Sequence, residues 1–147
     1  MDDLVEELKV TLASTFSFYL KSHNFHWNVE GINFPELHSF FETIYTDAWE
    51  AVDGIAERIR TLDGYAPGSL TRFKALTLIQ DEMNIPAAPA MVAKLKEDNE
   101  IIIHQLTRCQ ILAEKHRKTG LANYLQDRID SHEKHGWMLR ATIKAAK

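Results

Sequence analysis

Two pairs of side chains with metal-binding chemistry occur in a stretch of helical spacing between residues 36 and 63. His38 and Glu42 are four residues apart, and so are Asp53 and Glu57. Side chains at positions i and i+4 lie next to each other on one face of a helix. Imidazole and carboxylate groups placed side by side can chelate a metal ion. The stretch therefore contains two candidate metal-binding pairs.

The two pairs share one stripe of this helix, and that stripe is rotated away from the apolar one. At about 100° per residue, with Phe41 at zero, the apolar residues cover about −60° to +20°, whereas the four candidates fall between about +60° and +160°. Tyr45 and Trp49 lie on the same second stripe. A large aromatic side chain there indicates that the stripe is covered by another surface.

The two pairs are too far apart to bind one metal ion within a single chain. His38 and Asp53 are separated by roughly 22 Å of helical rise. If the helix packs antiparallel on a copy of itself around a two-fold axis, the His38/Glu42 end of one copy meets the Asp53/Glu57 end of the other. Trp49 then lies in the dimer interface. The alternative is that all four are ordinary solvated side chains, and the spacing leaves both interpretations open.

Four long amphipathic helices and one short helix are predicted around these residues. Glycine (6) and proline (4) are few and clustered, and no segment has the alternation of a strand. The predicted helices are α1 (about Asp3–Asn28), α2 (Pro35–Asp63), α3 (a short helix capped by Ser69), α4 (from Pro86–Pro89 to Lys118) and α5 (after Gly120). Their order predicts an all-α four-helix bundle with a long α2–α4 connection.

The predicted ends of the helices rest on residues that favour caps and turns. Asp2 or Asp3 is the expected N-cap of α1, and Asn33 that of α2. Gly31 and Gly64 are expected to end α1 and α2. Gly54 lies inside α2, where glycine costs roughly 1 kcal/mol relative to alanine.

Length and composition restrict the class of protein. The chain has 147 residues, which predicts one domain over 1–147. The net charge is −4, from 17 basic and 21 acidic residues, which argues against a general nucleic-acid coat. The single cysteine excludes an intramolecular disulfide and a multi-cysteine zinc site. No apolar run approaches the ~18 residues of a membrane span, and the acidic start MDDLVEELKV is unlike a signal peptide. We therefore expect a cytoplasmic protein without membrane association.

A metal site inside the bundle needs a different motif. Bundles with an internal di-iron centre carry Glu-x-x-His on two of their helices. This chain contains no Glu-x-x-His. A centre in the bundle interior is therefore not expected.

A longer motif resembles the Dps family of mini-ferritins. The pattern H-W-N-V-x-G-x-x-F-x-x-L-H-x-x-F-E occupies residues 26–42, and D-x-x-A-E-R follows at residues 53–58, with Gly64 after the helix. The motif covers about 40 residues, and the predicted helix lengths match the family over essentially the whole chain. The resemblance implies a ferritin-like fold and a dodecameric hollow shell built from two-fold dimers.

The same resemblance implies an activity and a set of ligands. Members of the family are ferroxidases that oxidise Fe(II), preferentially with hydrogen peroxide, and store ferric mineral inside the shell. By resemblance, each centre binds two iron ions through His26, His38 and Glu42 of one subunit and Asp53 and Glu57 of its partner. Many members have aspartate in place of Glu42, which leaves the spacing of the two irons open. Zinc uses overlapping ligand types, so the sequence does not distinguish it as a substitute.

Neighbouring side chains have more than one interpretation. Trp27 adjoins His26 and is either a quencher of radical equivalents or an interface residue. His23 lies on the apolar side of α1 and is either a packed, hydrogen-bonded histidine or an accessory ligand. The other histidines are expected to have no role in the chemistry; His132 is predicted to be packed, and His104, His116 and His135 are predicted to lie at the surface.

The leading hypothesis is a ferroxidase that stores iron and protects against oxidative stress. The alternative from the same resemblance is a DNA-compacting shell with little ferroxidase activity. A third hypothesis is a bundle dimer that binds zinc at its interface without redox turnover. The acidic start and the few cations near the other end, Arg140, Lys144 and Lys147, predict weak or absent DNA binding.

Overall fold

The computed structural model describes residues 1–144 and contains five helices. They are α1 (Asp2–Asn28), α2 (Phe34–Thr61), α3 (Leu70–Leu76), α4 (Ala88–Lys115) and α5 (Thr119–Ile143). Within those residues there is no strand, and no helix is long and apolar enough to cross a membrane. The predicted all-α bundle with a short helix in the α2–α4 connection is confirmed. Lys147, one of the cations weighed for DNA binding, lies outside the described residues.

The connections fix the directions of the four long helices. Residues 29–33 and 116–118 are short turns, so α1/α2 and α4/α5 are antiparallel neighbours. Lys21 contacts Asp98 and Thr11 contacts Cys109, so α1 also runs antiparallel to α4. The long connection carrying α3 therefore returns the chain along the bundle, and α2 and α4 are parallel.

The apolar stripes of the long helices meet in one core. Its largest fully buried side chains include Phe18, Phe25, Phe41, Leu95 and Ile102. Apolar spacing by three and four along α1 predicts a stripe that includes Phe16, Tyr19 and Leu20, but this part of the prediction is wrong, since Phe16 and Tyr19 are half-buried and Leu20 is 41% exposed. The inward positions of α1 carry Phe18 and Phe25 together with small polar side chains whose hydroxyl groups bond to backbone or neighbouring side chains, namely Thr11, Ser14 and Ser22.

The end of α2 differs from the prediction in a way that explains Gly64. Asp63, not the glycine, adopts the left-handed conformation, with φ +66°. The Gly64 N–H bonds to the carbonyl oxygen of Ile59 at 3.1 Å. A Cβ at Gly64 would lie 2.8 Å from a methyl carbon of Val5. Glycine is therefore required here by close packing of α1 on the end of α2, and aspartate tolerates the left-handed turn.

Other helix ends also differ from expectation by a few residues. The N-cap position of α1 is Met1, and Oδ1 of Asp3 accepts from the adjacent Leu4 N–H and lies 2.8 Å from Nε2 of His116 on the turn after α4. Gly31, with φ +119°, lies in the turn after α1 rather than at its last residue. Asn33 occupies the N-cap position of α2 without a side-chain capping bond. Such shifts are ordinary because helix termini fray and caps have several alternatives.

Gly54 has a packing role inside α2. The hydroxyl group of Tyr124 on α5 occupies the space in which any larger residue at position 54 would place its Cβ. The guanidinium group of Arg58 covers the Tyr124 ring at 4.4 Å from its centroid. The glycine therefore permits the close approach of α2 and α5, which offsets its low helix propensity.

Candidate metal centre

His26 and His38 form a reciprocal hydrogen-bonded pair where α1 ends and α2 begins. The Nδ1–H of His26 donates to the carbonyl oxygen of His38 at 2.7 Å, and the Nδ1–H of His38 donates to the carbonyl oxygen of His26 at 2.7 Å. A carbonyl oxygen can only accept, so both Nδ1 atoms carry the hydrogen. In a neutral imidazole, Nε2 then keeps a lone pair that can bind a metal ion.

Packing holds the two imidazole rings in place. Their centroids are 3.7 Å apart and their planes differ by 18°, so the rings are stacked. His26 is buried, His38 is half-buried, and the ring of Phe34 lies 5.1 Å from that of His38. The short turn over residues 29–33 brings the two helix ends together. Ligands fixed by backbone hydrogen bonds and packing need little rearrangement before they bind a metal ion.

Glu42 extends this pair along α2 by one helical turn. Its carboxylate is exposed, and the hydroxyl group of Tyr45 donates to Oε1 at 3.4 Å, which is long for such a bond. Burial and the negative charge of Glu42 raise the pKa of Tyr45. His26, His38 and Glu42 thus place two imidazole groups and a carboxylate at one end of the bundle.

Asp53 and Glu57 lie at the far half of α2, not at the histidine pair. Both carboxylates are exposed and one helical turn apart. Trp49, Val52, Asp53 and Ala56 line a shallow depression on this face. Among residues 1–144 no three histidine, cysteine, aspartate or glutamate side chains come together as a metal-binding group. The five candidate ligands therefore form two separate groups within one chain.

His23 is enclosed by aromatic rings beside the histidine pair. Its ring stacks on Tyr45, with centroids 3.8 Å apart and planes 10° apart, and lies 3.9 Å from the ring of Trp27. Its Nδ1 is 2.9 Å from the hydroxyl group of Tyr19. Burial first, and the neighbouring His26 second, lower the pKa of His23. His23 is thus packed between aromatic rings, and its Nδ1 is already hydrogen-bonded to Tyr19.

Trp27 points largely outward from the same end of the bundle. Its side chain is 58% exposed, and Trp49 is 56% exposed. Both lie on the side of the molecule that carries the candidate ligands. Large aromatic surfaces left open in one chain are typical of surfaces that contact another chain.

A polar network that the sequence did not reveal fills the interior between α2 and α5. Arg128 donates two hydrogen bonds to Asp47, at 2.9 and 2.8 Å, and His135 lies 3.0 Å from the same carboxylate. His132 is fully buried, with Nδ1 2.8 Å from the side-chain oxygen of Asn99. Burial by itself raises the pKa of Asp47, but the hydrogen bonds from His135 and Arg128 outweigh it and hold that pKa well below its usual range.

His135 corrects one prediction, and His132 confirms another. His135 was expected at the surface but is buried, because it faces Asp47 on α2. His132 is packed and hydrogen-bonded, as expected. The spacing of Arg128, His132 and His135 on one face of α5 was the available signal, but the partner Asp47 could not be identified without the packing of the helices. This network occupies the interior with an ion pair rather than with a group of carboxylates.

The chain is similar to known proteins over its full length. The family described as a ferritin-like domain matches residues 5–147. Antigen TpF1 of Treponema pallidum is 33% identical over 144 residues, which cover 97% of this chain and 81% of the relative. DNA protection during starvation protein 2 of Bacillus anthracis is 31% identical over 140 residues, covering 95% of this chain and 96% of the relative.

Solved structures show the same similarity. Dps from Staphylococcus aureus superposes with a TM-score of 0.95 at 32% identity, covering 99% of this chain and 98% of that one. A Dps protein of Vibrio cholerae, described as a member of a broad superfamily of ferritin-like diiron-carboxylate proteins, gives a TM-score of 0.93 at 31% identity, covering 97% and 90%. With its ferritin-like bundle and these relatives, the chain belongs to the Dps family of mini-ferritins.

Proposed function

We propose that this protein is a ferroxidase that oxidises Fe(II) at centres shared between two subunits and stores the ferric product. The observation that carries the proposal is the reciprocal His26/His38 pair, with both Nε2 atoms left free beside Glu42. Membership of a ferritin-like family with diiron-carboxylate relatives supports iron storage and oxidative protection in general terms. Beyond this general role, we propose the ligand set, the oxidant and the assembly.

The position of the acidic pair on α2 favours a centre built by two subunits. Asp53 lies roughly 22 Å along the helix from His38, so a second chain must supply these carboxylates. An antiparallel arrangement of two α2 helices has its two-fold axis near Trp49, where the depression lined by Trp49 and Val52 is open. Each dimer then has two equivalent centres. Each centre contains His26, His38 and Glu42 of one subunit and the partner subunit's acidic pair, Asp53 and Glu57.

This donor set suits the proposed reaction. Imidazole nitrogen and carboxylate oxygen bind iron, and carboxylates stabilise the ferric state and can bridge two ions. Two Fe(II) ions lose one electron each, and one hydrogen peroxide molecule takes both electrons and two protons to give two water molecules. Because both electrons come from the iron pair, no hydroxyl radical is released. Dioxygen is the alternative oxidant, and zinc competes for the same ligands.

Storage requires an assembly that encloses the product. Twelve chains of 16.9 kDa form a shell of about 203 kDa, which is the proposed dodecamer of two-fold dimers.

Trp27, exposed beside His26, is proposed to quench stray radical equivalents at the centre. The cytoplasmic location, the absence of a membrane partner and weak DNA binding stay predictions. The alternative function is a DNA-compacting shell, and the Bacillus anthracis relative is described as a DNA protection protein.

Light scattering and iron loading test the proposal together. The purified protein is run on size exclusion with light scattering, then loaded anaerobically with Fe(II) and treated with hydrogen peroxide. We expect a mass of about 203 kDa and iron that stays dissolved as an oxidised core. The double variant His38→Ala, Asp53→Ala should slow oxidation while keeping its helix content, whereas Glu97→Ala, an exposed acid on α4, should not. A stable dimer, or iron that precipitates at the protein-free rate, would refute the storage shell.

A further inference from the structure

Five aromatic side chains form a continuous cluster beside the candidate ligands, and we call it the aromatic cluster: Tyr19, His23, Trp27, Tyr45 and Trp49. The ring of Tyr19 lies 4.9 Å from that of Trp49 and 6.2 Å from that of Tyr45, measured between centroids. Tyr45 stacks on His23 and lies 5.0 Å from the ring of His26. The cluster therefore connects a candidate ligand to the exposed indole of Trp49 through ring contacts.

Tyr19 differs from the other members because its hydroxyl group has a nitrogen base at hydrogen-bond distance. The Tyr19 oxygen is 2.9 Å from Nδ1 of His23. A phenol that loses an electron also loses its proton, and a neutral imidazole nitrogen at this distance can take it. Tyr45 has only the long 3.4 Å contact to Glu42. Among residues 1–144, neither Trp27 nor Trp49 donates its indole N–H to a protein acceptor.

We propose that Tyr19 is a redox-active tyrosine that collects oxidising equivalents from the aromatic cluster and passes its phenolic proton to Nδ1 of His23. The inference rests on the proposed function, which supplies the oxidising equivalents. They arise when hydrogen peroxide reacts at a centre that holds a single Fe(II) ion. It assigns to Tyr19 and His23 a role distinct from ligand binding, and it makes Tyr19 the residue to which Trp27 and the rest of the cluster pass the oxidising equivalent that they take up.

The step balances as a one-electron oxidation of the phenol. Reduction of hydrogen peroxide to two water molecules consumes two electrons and two protons. With one Fe(II) ion in the centre, iron supplies one electron and becomes Fe(III), and Tyr19 supplies the other and becomes a neutral tyrosyl radical. The O–H bond of Tyr19 breaks, its proton binds His23, and the two protons for water come from solvent. Tyr45 and the indoles relay the electron without net change.

The position of the pair suits this role. Tyr19 and His23 are one turn apart on α1, so the helix itself sets the distance between phenol and imidazole. In one chain Tyr19 is half-buried, whereas Trp27 is more than half exposed; Trp49 lies in the proposed dimer interface. A radical held on Tyr19 is therefore shielded from solvent and from other molecules, while an indole radical at the surface is not.

An iron-free experiment tests the redox role directly. Azide radicals generated by pulse radiolysis oxidise exposed tryptophan, and optical absorbance separates indolyl from tyrosyl radicals. In the wild type we expect the indolyl signal to convert to a tyrosyl signal at a rate independent of protein concentration. Tyr19→Phe should slow this phase by more than about tenfold, and Tyr65→Phe, which removes an exposed tyrosine outside the cluster, should leave it unchanged. His23→Phe keeps an aromatic ring but removes the base, and should also slow the phase.

A second experiment uses iron and separates this inference from the proposed function. The shell is loaded anaerobically with about one Fe(II) per centre, mixed with hydrogen peroxide, frozen and examined by electron paramagnetic resonance. The wild type should give a tyrosyl signal that narrows when tyrosine is ring-deuterated, and Tyr19→Phe should lose it while still oxidising Fe(II). An unchanged radical phase or signal in Tyr19→Phe overturns the inference with the ferroxidase intact. Loss of Fe(II) oxidation in the wild type, with the iron-free phase as expected, instead refutes the proposed function.

Discussion

Mixing two inactive variants should restore activity if each metal centre is shared between subunits. His38→Ala removes one ligand from the histidine group, and Asp53→Ala removes one from the acidic group. The two residues lie roughly 22 Å apart along α2, so they serve different centres within one chain. In a heterodimer of the two variants, one centre lacks both His38 and Asp53, and the other centre keeps all its ligands.

The size of the recovery follows from this geometry. Random pairing of equal amounts gives about half heterodimers, and each heterodimer has one intact centre out of two. About one quarter of all centres are then intact. We expect each variant alone to lose more than about tenfold of the Fe(II) oxidation rate. The mixture should recover about one quarter of the wild-type rate per subunit.

The assay is the initial rate of Fe(II) oxidation by hydrogen peroxide, measured after the two variants are unfolded and refolded together. A matched control mixes His38→Ala with Glu42→Ala, which both damage the histidine group, so that every centre stays broken and no activity returns. Helix content and mass are compared for all mixtures. If His38→Ala with Asp53→Ala stays inactive while refolding to the wild-type mass, or if the control mixture recovers equally, the shared centre is wrong.

Three further predictions concern stability and partners. The buried His132 stays neutral, because desolvation first and Arg128 second hold its pKa well below 6.5. Its contribution to the free energy of unfolding is therefore complete above pH 6.5 and falls by up to about 1.4 kcal/mol per pH unit below it. In urea unfolding, the free energy lost between pH 7.5 and pH 5.5 should be smaller for His132→Gln than for the wild type. Gly54→Ala should lower the free energy of unfolding by about 1–3 kcal/mol, since the added Cβ clashes with the Tyr124 hydroxyl group. Adding Tyr124→Phe to this variant should recover part of the loss in thermal unfolding, and purely additive effects of the two substitutions would contradict the packing argument. In a gel shift at ~150 mM salt we expect no DNA retention at sub-micromolar protein, and retention there would favour the DNA-compacting alternative.

Much of the candidate site follows from residue spacing alone. Helical geometry places His38 beside Glu42 and Asp53 beside Glu57 on one stripe, and the rise per residue separates the two pairs. The number and order of helices follow from the apolar periodicity and from the few glycines and prolines. These properties are local, so the sequence determines them before any helix is packed against another.

Tertiary packing decided the properties that depend on which helices become neighbours. It brought His26 to His38 and engaged each Nδ1 with the other's carbonyl oxygen, which leaves both Nε2 atoms free. It also turned His135 inward to Asp47, where periodicity on α5 had predicted the surface. Periodicity identifies the face of a helix on which a residue lies, but the partner that this face meets is fixed by contacts between distant parts of the chain.

The same distinction explains α1. Its sequence places Phe16 and Tyr19 on an apolar stripe, yet both are only half-buried, and small hydroxyl residues such as Thr11 and Ser22 share the buried positions with Phe18 and Phe25. Their hydroxyl groups bond to carbonyl oxygens of their own helix, so burying them carries little cost. Tyr19 lies instead on the side of the candidate ligands, where it contacts His23, and Phe16 packs on Phe73 of α3. The sequence thus determined which chemical groups the helices carry, and tertiary structure alone decided which of them meet, because contacts between helices depend on the size and fit of side chains on both faces.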